Sequence, residues 1–422
     1  MNWQNVEIAS SVLSPETWPF SWEWLPPEAC LVGGAIRDAL LGRRREYLDL
    51  DFVLPSDAVQ TARNLAKHYK AGFVVLDAQR QIARVVFDQA TVDLAQQEGD
   101  SVEIDLRRRD FTVNAIAYNP YTKELIDPLQ GYEDLRQNLI RMVSPENLKD
   151  DPLRLLRAYR QAAQLNFTIE STTQSVIRQL APLLQQVAAE RVQVELSHLL
   201  KSPQGTPWLQ AAWDDNLLKG WFPDATVQGL AVVAAVDHAA DVLEETWPQF
   251  GQELQAAVSG KSASLLSLTK LTCLLPSVPE SAEEQMLGLK YSRAEIRTVV
   301  TVLKHLPQLL AHATSPMPVK EQYFFFQGVG FVFPALVVLA VASGAAIQEI
   351  TPLIHRYLTP DDQVAHPTPL VTGKDLMRSL KLKAGPLVGE LLTAIGVARA
   401  EGQISTPEAA LALAAQMIDS DC

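Results

Sequence analysis

Leu48, Leu50, Phe52 and Leu54 alternate with Asp49, Asp51 and Val53 along Tyr47–Leu54. A period of two predicts a strand with one apolar face and one face that carries both carboxylates. Other strand signals surround it. Cys30–Val32 is a short apolar run ending at Gly33-Gly34, and Phe73–Leu76, Ala83–Phe87 and Thr91–Leu94 are strand-like runs separated by polar breaks. Ala35–Leu41 and Ala58–Tyr69 read as helices, Asp110–Ala117 is predicted to open a further one, and Asp127-Pro128 marks a loop. Beyond residue 146 the strand signals almost vanish and Leu, Ala and Gln become frequent. Ser144-Pro145-Glu146 has the form of a helix start. Breaks fall at Ser202-Pro203-Gln204-Gly205, Pro276–Pro279, Ser315–Pro318 and Pro360–Pro369, and no repeat of fixed period is present. The predicted fold class is α+β: a head of mixed sheet and helices at 1–145, then an all-α neck at 146–205, body at 206–350 and tail at 351–422. The longest apolar passage, Val329–Ala346, is interrupted by Gly330, Pro334, Ser343 and Gly344. It is predicted to be a packed core helix, with no membrane partner.

Composition narrows this picture only slightly. The 422 residues are 47% hydrophobic and 20% charged, as in an ordinary globular chain. Cys30, Cys273 and Cys422 are scattered, with no Cys-x-x-Cys, which argues against both a disulfide framework and a zinc site and fits a reducing cytoplasm. The opening MNWQNVEIAS has no basic region followed by an apolar run, so no secretory signal is expected. The net charge of −13 by itself speaks against nucleic acid, but residues 207–285 hold 11 acidic side chains against three lysines, a net of −8, leaving about −5 for everything else. Basic triplets stand at Arg43–Arg45 and Arg107–Arg109. Local potential binds phosphate, so total charge does not decide the partner.

The chemistry concentrates in Leu31-Val-Gly-Gly-Ala-Ile-Arg37-Asp38 followed by Leu48-Asp-Leu-Asp-Phe52. Two carboxylates on one strand face repel each other and resist desolvation, and a divalent cation relieves both penalties. A pair of Mg²⁺ ions held there would lower the pKa of a 3′-hydroxyl and stabilise a departing pyrophosphate. Gly33 and Gly34 before a helix let backbone N–H groups approach a triphosphate. Each piece alone has an ordinary reading: a solvated strand face, a turn, a surface Arg37–Asp38 pair. The combination resembles the polymerase-β-like nucleotidyltransferase superfamily. Asp93, in Thr91-Val-Asp-Leu94, resembles the site of that superfamily's third strand carboxylate, and a fringe polar residue is an equal alternative.

The next motif is Arg107-Arg-Arg109-Asp110-Phe-Thr-Val-Asn114-Ala. Asp is an acceptor suited to ribose hydroxyls, and Arg gives bidentate contacts to phosphate. This segment resembles the RRDFT.NA box of the class II tRNA nucleotidyltransferase and bacterial poly(A) polymerase family. Asp150-Asp151-Pro-Leu-Arg154-Leu-Leu-Arg157-Ala-Tyr-Arg160 resembles that family's EDxxR box. By that resemblance Asp151 and Arg154 serve as an amino-acid template for the incoming base, and Arg157 and Arg160 line the nucleotide site. Asp accepts from an exocyclic amine and Arg donates to ring nitrogen and carbonyl, so such a pair imitates a pairing edge. On one helix, at about 100° per residue, Asp151 and Arg154 would lie about 60° apart. For Arg160 a structural ion pair competes. Asp150 stands where Glu is usual, and Gln161 where an aromatic usually follows the third arginine.

Ile126-Asp-Pro…Gly131-Tyr-Glu-Asp134…Ile140-Arg141 resembles the family's linking segment, Ala189-Glu-Arg-Val-Gln-Val-Glu-Leu196 its neck helix, and Thr372-Gly-Lys374-Asp-Leu with Ala384–Gly389 its tail. The resemblance is strong over 30–200 and only of helical character over 207–365. It implies a Mg²⁺-dependent enzyme that uses CTP, with or without ATP, to extend a tRNA 3′ end. The neck and tail, with Lys374 and Lys381, would grip the acceptor arm. Two rivals remain open: a poly(A) polymerase on the same head, and a non-catalytic RNA-binding relative. Family members that add all of C, C and A carry a mobile charged loop between the DxD strand and the RRDFT box. Here Ala95–Asp105 is only 11 residues long and has no arginine, which implies addition of CC with the terminal A left to a second enzyme; the alternative is that another loop does the job and the full CCA is made.

Overall fold

The computed structural model describes residues 11–43, 47–259, 263–312 and 315–420. Met1–Ser10, Arg44, Arg45, Lys261 and Cys422, all weighed above, lie outside the described residues. The chain divides into two compact units, one ending at Gly220 and the other beginning at Trp221.

The first unit is built on seven strands: β1 (Cys30–Val32), β2 (Leu48–Leu54), β3 (Gly72–Asp77), β4 (Ile82–Phe87), β5 (Ala90–Gln96), β6 (Ala117–Asn119) and β7 (Glu124–Ile126). Their order across the sheet is β3-β4-β5-β2-β1-β6-β7. Every pairing is antiparallel except β2 with β5, where Asp49 stands beside Thr91 and Asp51 beside Asp93. Leu50, Phe52 and Leu54 are buried on one face of β2 while Asp49 is exposed on the other, as the alternation predicts. Helix α1 (Gly34–Leu40) follows β1, and α2 (Ala58–Tyr69) packs Ala58, Ala62 and Leu65 against β4 and β5. Trp18 and Phe20 close that core over Phe52, at ring-centroid distances of 5.1 and 6.0 Å.

The helix expected over Asp110–Ala117 does not form. A single 3-10 turn, Thr112–Asn114, leads directly into β6. The Asp110 side chain accepts from the Phe111 N–H at 2.8 Å and from Asn114 Nδ2 at 2.9 Å, and this local capture replaces the first turn of a helix. Short helices α3 (Val102–Leu106) and α4 (Gly131–Arg136) flank it in the chain.

Helix α5 (Pro145–Asp150) begins where the sequence predicts, with Ser144 Oγ accepting from the Asn147 N–H at 3.2 Å. Then come α6 (Leu153–Leu165), α7 (Ser171–Leu180), α8 (Ala189–Lys201) and α9 (Gly205–Asp214). A two-residue parallel ladder, β8 (Leu139–Ile140) with β9 (Thr168–Ile169), ties the end of the sheet-bearing segment to these helices. Asp215, just past α9, is fully buried and accepts from Tyr159 Oη on α6 and from Gln174 Nε2 (2.7 Å) and Arg178 Nε on α7.

The second unit is helical apart from a short antiparallel ladder, Ala257–Ser259 with Ala263–Ser264, which departs from the all-α body expected over 206–350. Val319–Ala342 is long and apolar enough to cross a membrane, but it is broken at Gly330, whose φ is +54°, and most of it is buried within the unit's own core. The run Phe333–Ala340 is buried at every position, packed with residues such as Phe250, Leu309 and Leu353, which is the packed core helix expected from the sequence.

The Asp215 node sets a testable stability. Burial works to raise its carboxyl, but donation from Tyr159, Arg178 and Gln174 outweighs burial and holds it below the ordinary range. A depressed folded pKa gives stability that is present above the unfolded value, about 4, and lost as pH falls through the folded value. Asp215→Ala should therefore cost about 2–4 kcal/mol in urea unfolding of the full chain at pH 7, and the deficit should shrink below about pH 4.

Candidate active site

A cleft of about 730 Å³ opens in the first unit between the carboxylate face of β2 and the N-terminal half of α6. Gly33, Gly34, Arg37, Asp49, Asp51, Arg109, Asp110, Asn114, Asp151, Arg154, Arg157 and Arg160 all line it. Lys374 and Lys381 belong to the second unit, where both are exposed.

Gly33 is favoured by its backbone conformation and leaves room for a close approach. Its φ of +78° is strained for any residue with a Cβ, and a Cβ built there would sit 3.2 Å from Arg109 Nη1 and 4.0 Å from Asp51 Oδ2. Backbone, guanidinium and carboxylate are thus brought within a few ångströms of one another. Arg109 Nη2 donates to Asp105 at 3.2 Å, while its buried Nε has no partner among the described residues.

Asp49 Oδ1 accepts from Thr91 Oγ1 at 2.7 Å. Burial, then the neighbouring charges of Asp49 and Asp93, push the Asp51 carboxyl up to about 6, against the lowering effect of Arg109 and Arg84. Asp93 itself is held by Arg84, with Nε to Oδ1 at 2.7 Å and Nη2 to Oδ2 at 2.8 Å. Both its oxygens are engaged, and it does not line the cleft. The alternative of a polar partner at the fringe describes Asp93 as found. Two carboxylates remain, and among the described residues no cluster of three or more acidic, His or Cys side chains could hold a metal. Mg²⁺ commonly takes one or two protein carboxylates and completes its shell with water and substrate phosphates, so Asp49 and Asp51 fit that ion.

The Arg37–Asp38 pair is not on the surface. Both residues are buried, with Arg37 Nη2 to Asp38 Oδ1 at 2.7 Å. Arg37 Nη1 donates to Asn114 Oδ1 at 2.7 Å, and Asn114 Nδ2 donates both to Asp110 Oδ1 (2.9 Å) and to Gln161 Oε1 (3.0 Å). Gln161, the departure noted in the third motif, is buried and joins α6 to the turn at Asp110. Burial tends to raise the Asp110 carboxyl, but Arg157, Asn114 and the Phe111 N–H hold it below the usual range. The Arg157 Nε to Asp110 Oδ2 distance is 3.1 Å. Arg160 pairs with Glu195 on α8 and donates to Gln164 Oε1 at 2.6 Å, the structural ion pair that competed for it, while still lining the cleft.

Asp151 and Arg154 are not neighbours on one helix. Pro152 separates them, α6 begins at Leu153, and Asp151 has extended backbone (φ −133°, ψ 91°) at the end of α5. Asp151 Oδ2 accepts from Arg191 Nη2 of α8 at 2.9 Å, and Arg154 Nη1 donates to the carbonyls of Arg108 (2.9 Å) and Asn147 (3.1 Å). Both side chains still face the same cleft. Sequence reasoning missed Arg108, Asn147 and Arg191 as cleft residues. Arg191 stood in a recognised neck motif and Arg108 in a basic triplet, but nothing in the sequence marks Asn147.

Residues 29–141 match the family model of the poly A polymerase head domain, 166–228 the probable RNA and SrmB-binding site of polymerase A, and 263–415 the putative second domain of tRNA nucleotidyltransferases. A CC-adding tRNA nucleotidyltransferase of Synechocystis is 49% identical over 94% of this chain and 96% of its own. The chain belongs to the tRNA nucleotidyltransferase family. An A-adding tRNA nucleotidyltransferase of Deinococcus radiodurans is 33% identical, over 92% of this chain and 95% of its own. The fold is also that of a CCA-adding enzyme solved with ATP, with a TM-score of 0.72 at 23% identity, covering 92% of this chain and 91% of that one.

Proposed function

We propose that this nucleotidyltransferase adds two cytidylates to the 3′ end of tRNA, one per catalytic cycle, with release of pyrophosphate, and stops at CC. The observation that carries this reading is a single cleft lined by the Asp49–Asp51 pair, the glycine turn and the Asp151 and Arg154 side chains. The 49% identity to a CC-adding relative supports the same substrate and product.

In this reading Asp49 and Asp51 hold two Mg²⁺ ions. Mg²⁺ bound there would lower the pKa of the attacking 3′-hydroxyl and stabilise the departing pyrophosphate. Gly33 and Gly34 admit the triphosphate close to the backbone, and the Arg109 guanidinium, whose Nη1 lies beside Gly33, is the donor nearest to it. Asp110, braced by Arg157 and Asn114, faces the ribose, and Arg37 braces Asn114 in turn. Asp151 and Arg154 read the base, with Arg160 keeping α6 against α8 through Glu195. Exposed Lys374 and Lys381 contribute to the grip on the tRNA backbone.

The stop at CC rests on the segment between β5 and the arginine triplet. Ala95–Asp105 holds no arginine and is folded onto the first unit: the Gln97 N–H donates to Leu54 O at 2.8 Å, the Glu98 N–H to Asp105 Oδ1 at 3.0 Å, and Glu98 pairs with Arg108. A short tether of this kind spans little distance. The A-adding relative favours a second reading, in which the chain supplies the terminal adenylate.

Three measurements test the proposal. Asp49→Ala and Asp51→Asn should each lower Mg²⁺-dependent incorporation at least about a thousandfold with the melting temperature maintained, and retention of more than a few per cent would remove the metal assignment. Reversing the charge of Lys374 or Lys381 should weaken tRNA binding and flatten its salt dependence, whereas unchanged affinity would release both residues from this role. A tRNA lacking CCA should gain two residues from CTP, and a tRNA already ending in CC should be inert with ATP alone. Efficient addition of one A to the latter would establish the second reading instead.

A further inference from the structure

The arginine triplet follows the end of α3, where the backbone carbonyls run out of helical donors. All three are taken by side chains from the segment after Ser144. Asn147 Nδ2 donates to Arg107 O and to Arg109 O, both at 2.8 Å, and Arg154 Nη1 donates to Arg108 O at 2.9 Å. The second acceptor of Arg154 Nη1 is the carbonyl of Asn147 itself, at 3.1 Å. One residue therefore holds the turn with its amide and the guanidinium with its carbonyl.

This arrangement divides the five donors of Arg154. Both protons of Nη1 are directed at carbonyls, while Nε and Nη2 have no partner among the described residues. A guanidinium presents Nε and Nη2 as two parallel donors along one edge. Cytosine offers two adjacent acceptors, O2 and N3, to such an edge. Uracil places an N–H where cytosine has N3, so a donor fixed there meets a donor. Adenine offers an acceptor next to an amine. The discrimination depends on the guanidinium not rotating, since a loosened one turns a single donor to whichever acceptor arrives.

We propose that Asn147 is a positioning residue for base selection, anchoring Arg154 between its own carbonyl and that of Arg108 so that only the Nε–Nη2 edge faces the nucleotide. This inference rests on the reading of Arg154 as part of the base template. Asn147 does not touch the base. It acts through Arg154, and its loss alters selection more than turnover.

The test uses the full-length enzyme with tRNA lacking CCA and compares kcat/KM for CTP with kcat/KM for UTP and ATP. Asn147→Asp keeps the side-chain volume but cannot donate, and Asn147→Ala removes the amide altogether. Both should lower the CTP-over-UTP ratio by at least about tenfold, mainly through a rise in the CTP KM, with tRNA affinity unchanged. Glu98→Gln, which releases the exposed Glu98–Arg108 pair on the other side of the same turn, should lower the ratio in the same direction and remains informative if the Asn147 variants do not fold. An unchanged ratio in the folded variants, or an equal loss for every nucleotide together with a lowered melting temperature, would overturn the proposal. Arg154→Ala separates the two levels. If it relaxes selection while the Asn147 and Glu98 variants do not, this inference alone fails. If it too leaves selection intact, the template reading fails with it.

Discussion

A carboxylate buried at Asp110 has to have its charge answered from nearby, and the groups that answer it come from two different parts of the first unit. Phe111 and Asn114 supply neutral donors from the turn itself, while Arg157 supplies the positive charge from α6. The sheet and the helix are joined through this point. Asn114 extends the junction by linking Arg37 behind the glycine turn to Gln161 on the helix. The carboxylates of β2 and the side chains of α6 face one cleft because these donors and acceptors hold the two elements in one relation.

The same constraint accounts for what the sequence did and did not disclose. β2 was legible because a period of two is written directly in Leu48–Leu54, and α2 because its apolar positions recur on one face. At Asp110–Ala117 the fold departs from the helical pattern because the Asp110 side chain takes the Phe111 N–H that a helix would leave to its own backbone. Asp93 was ambiguous because its fate depends on Arg84, nine residues earlier on the neighbouring strand, and no local pattern announces that pairing. Asp151 and Arg154 were expected side by side on a helix, but Pro152 sets the boundary between them, and each found a different partner.

Residues that act by holding others were the least visible. Asn147 sits in a helix start that the sequence predicts well, yet its amide serves carbonyls some forty positions away. In the sequence Gln161 shows only as a departure from a family pattern, whereas in the fold it accepts from Asn114 Nδ2. Chemistry-bearing residues announce themselves by type and spacing. Their supports are defined by contacts between distant segments and emerge only when the chain is folded.

The pairing of β2 between β1 and β5 also determines which changes of chain length the molecule tolerates. Side chains alternate with a period of two, so inserting or deleting one residue in β2 would turn Asp49 and Asp51 into the core and bring Leu50 and Phe52 out to the cleft. The strand that carries Asp49 and Asp51 is closed to insertions. The bend at 97–101 has no ladder partner of its own, so lengthening it leaves the strand register untouched while changing what can reach the Arg107–Arg109 turn. The two segments therefore differ in tolerance: the carboxylate-bearing strand accepts substitution but not a change of length, whereas the bend accepts both.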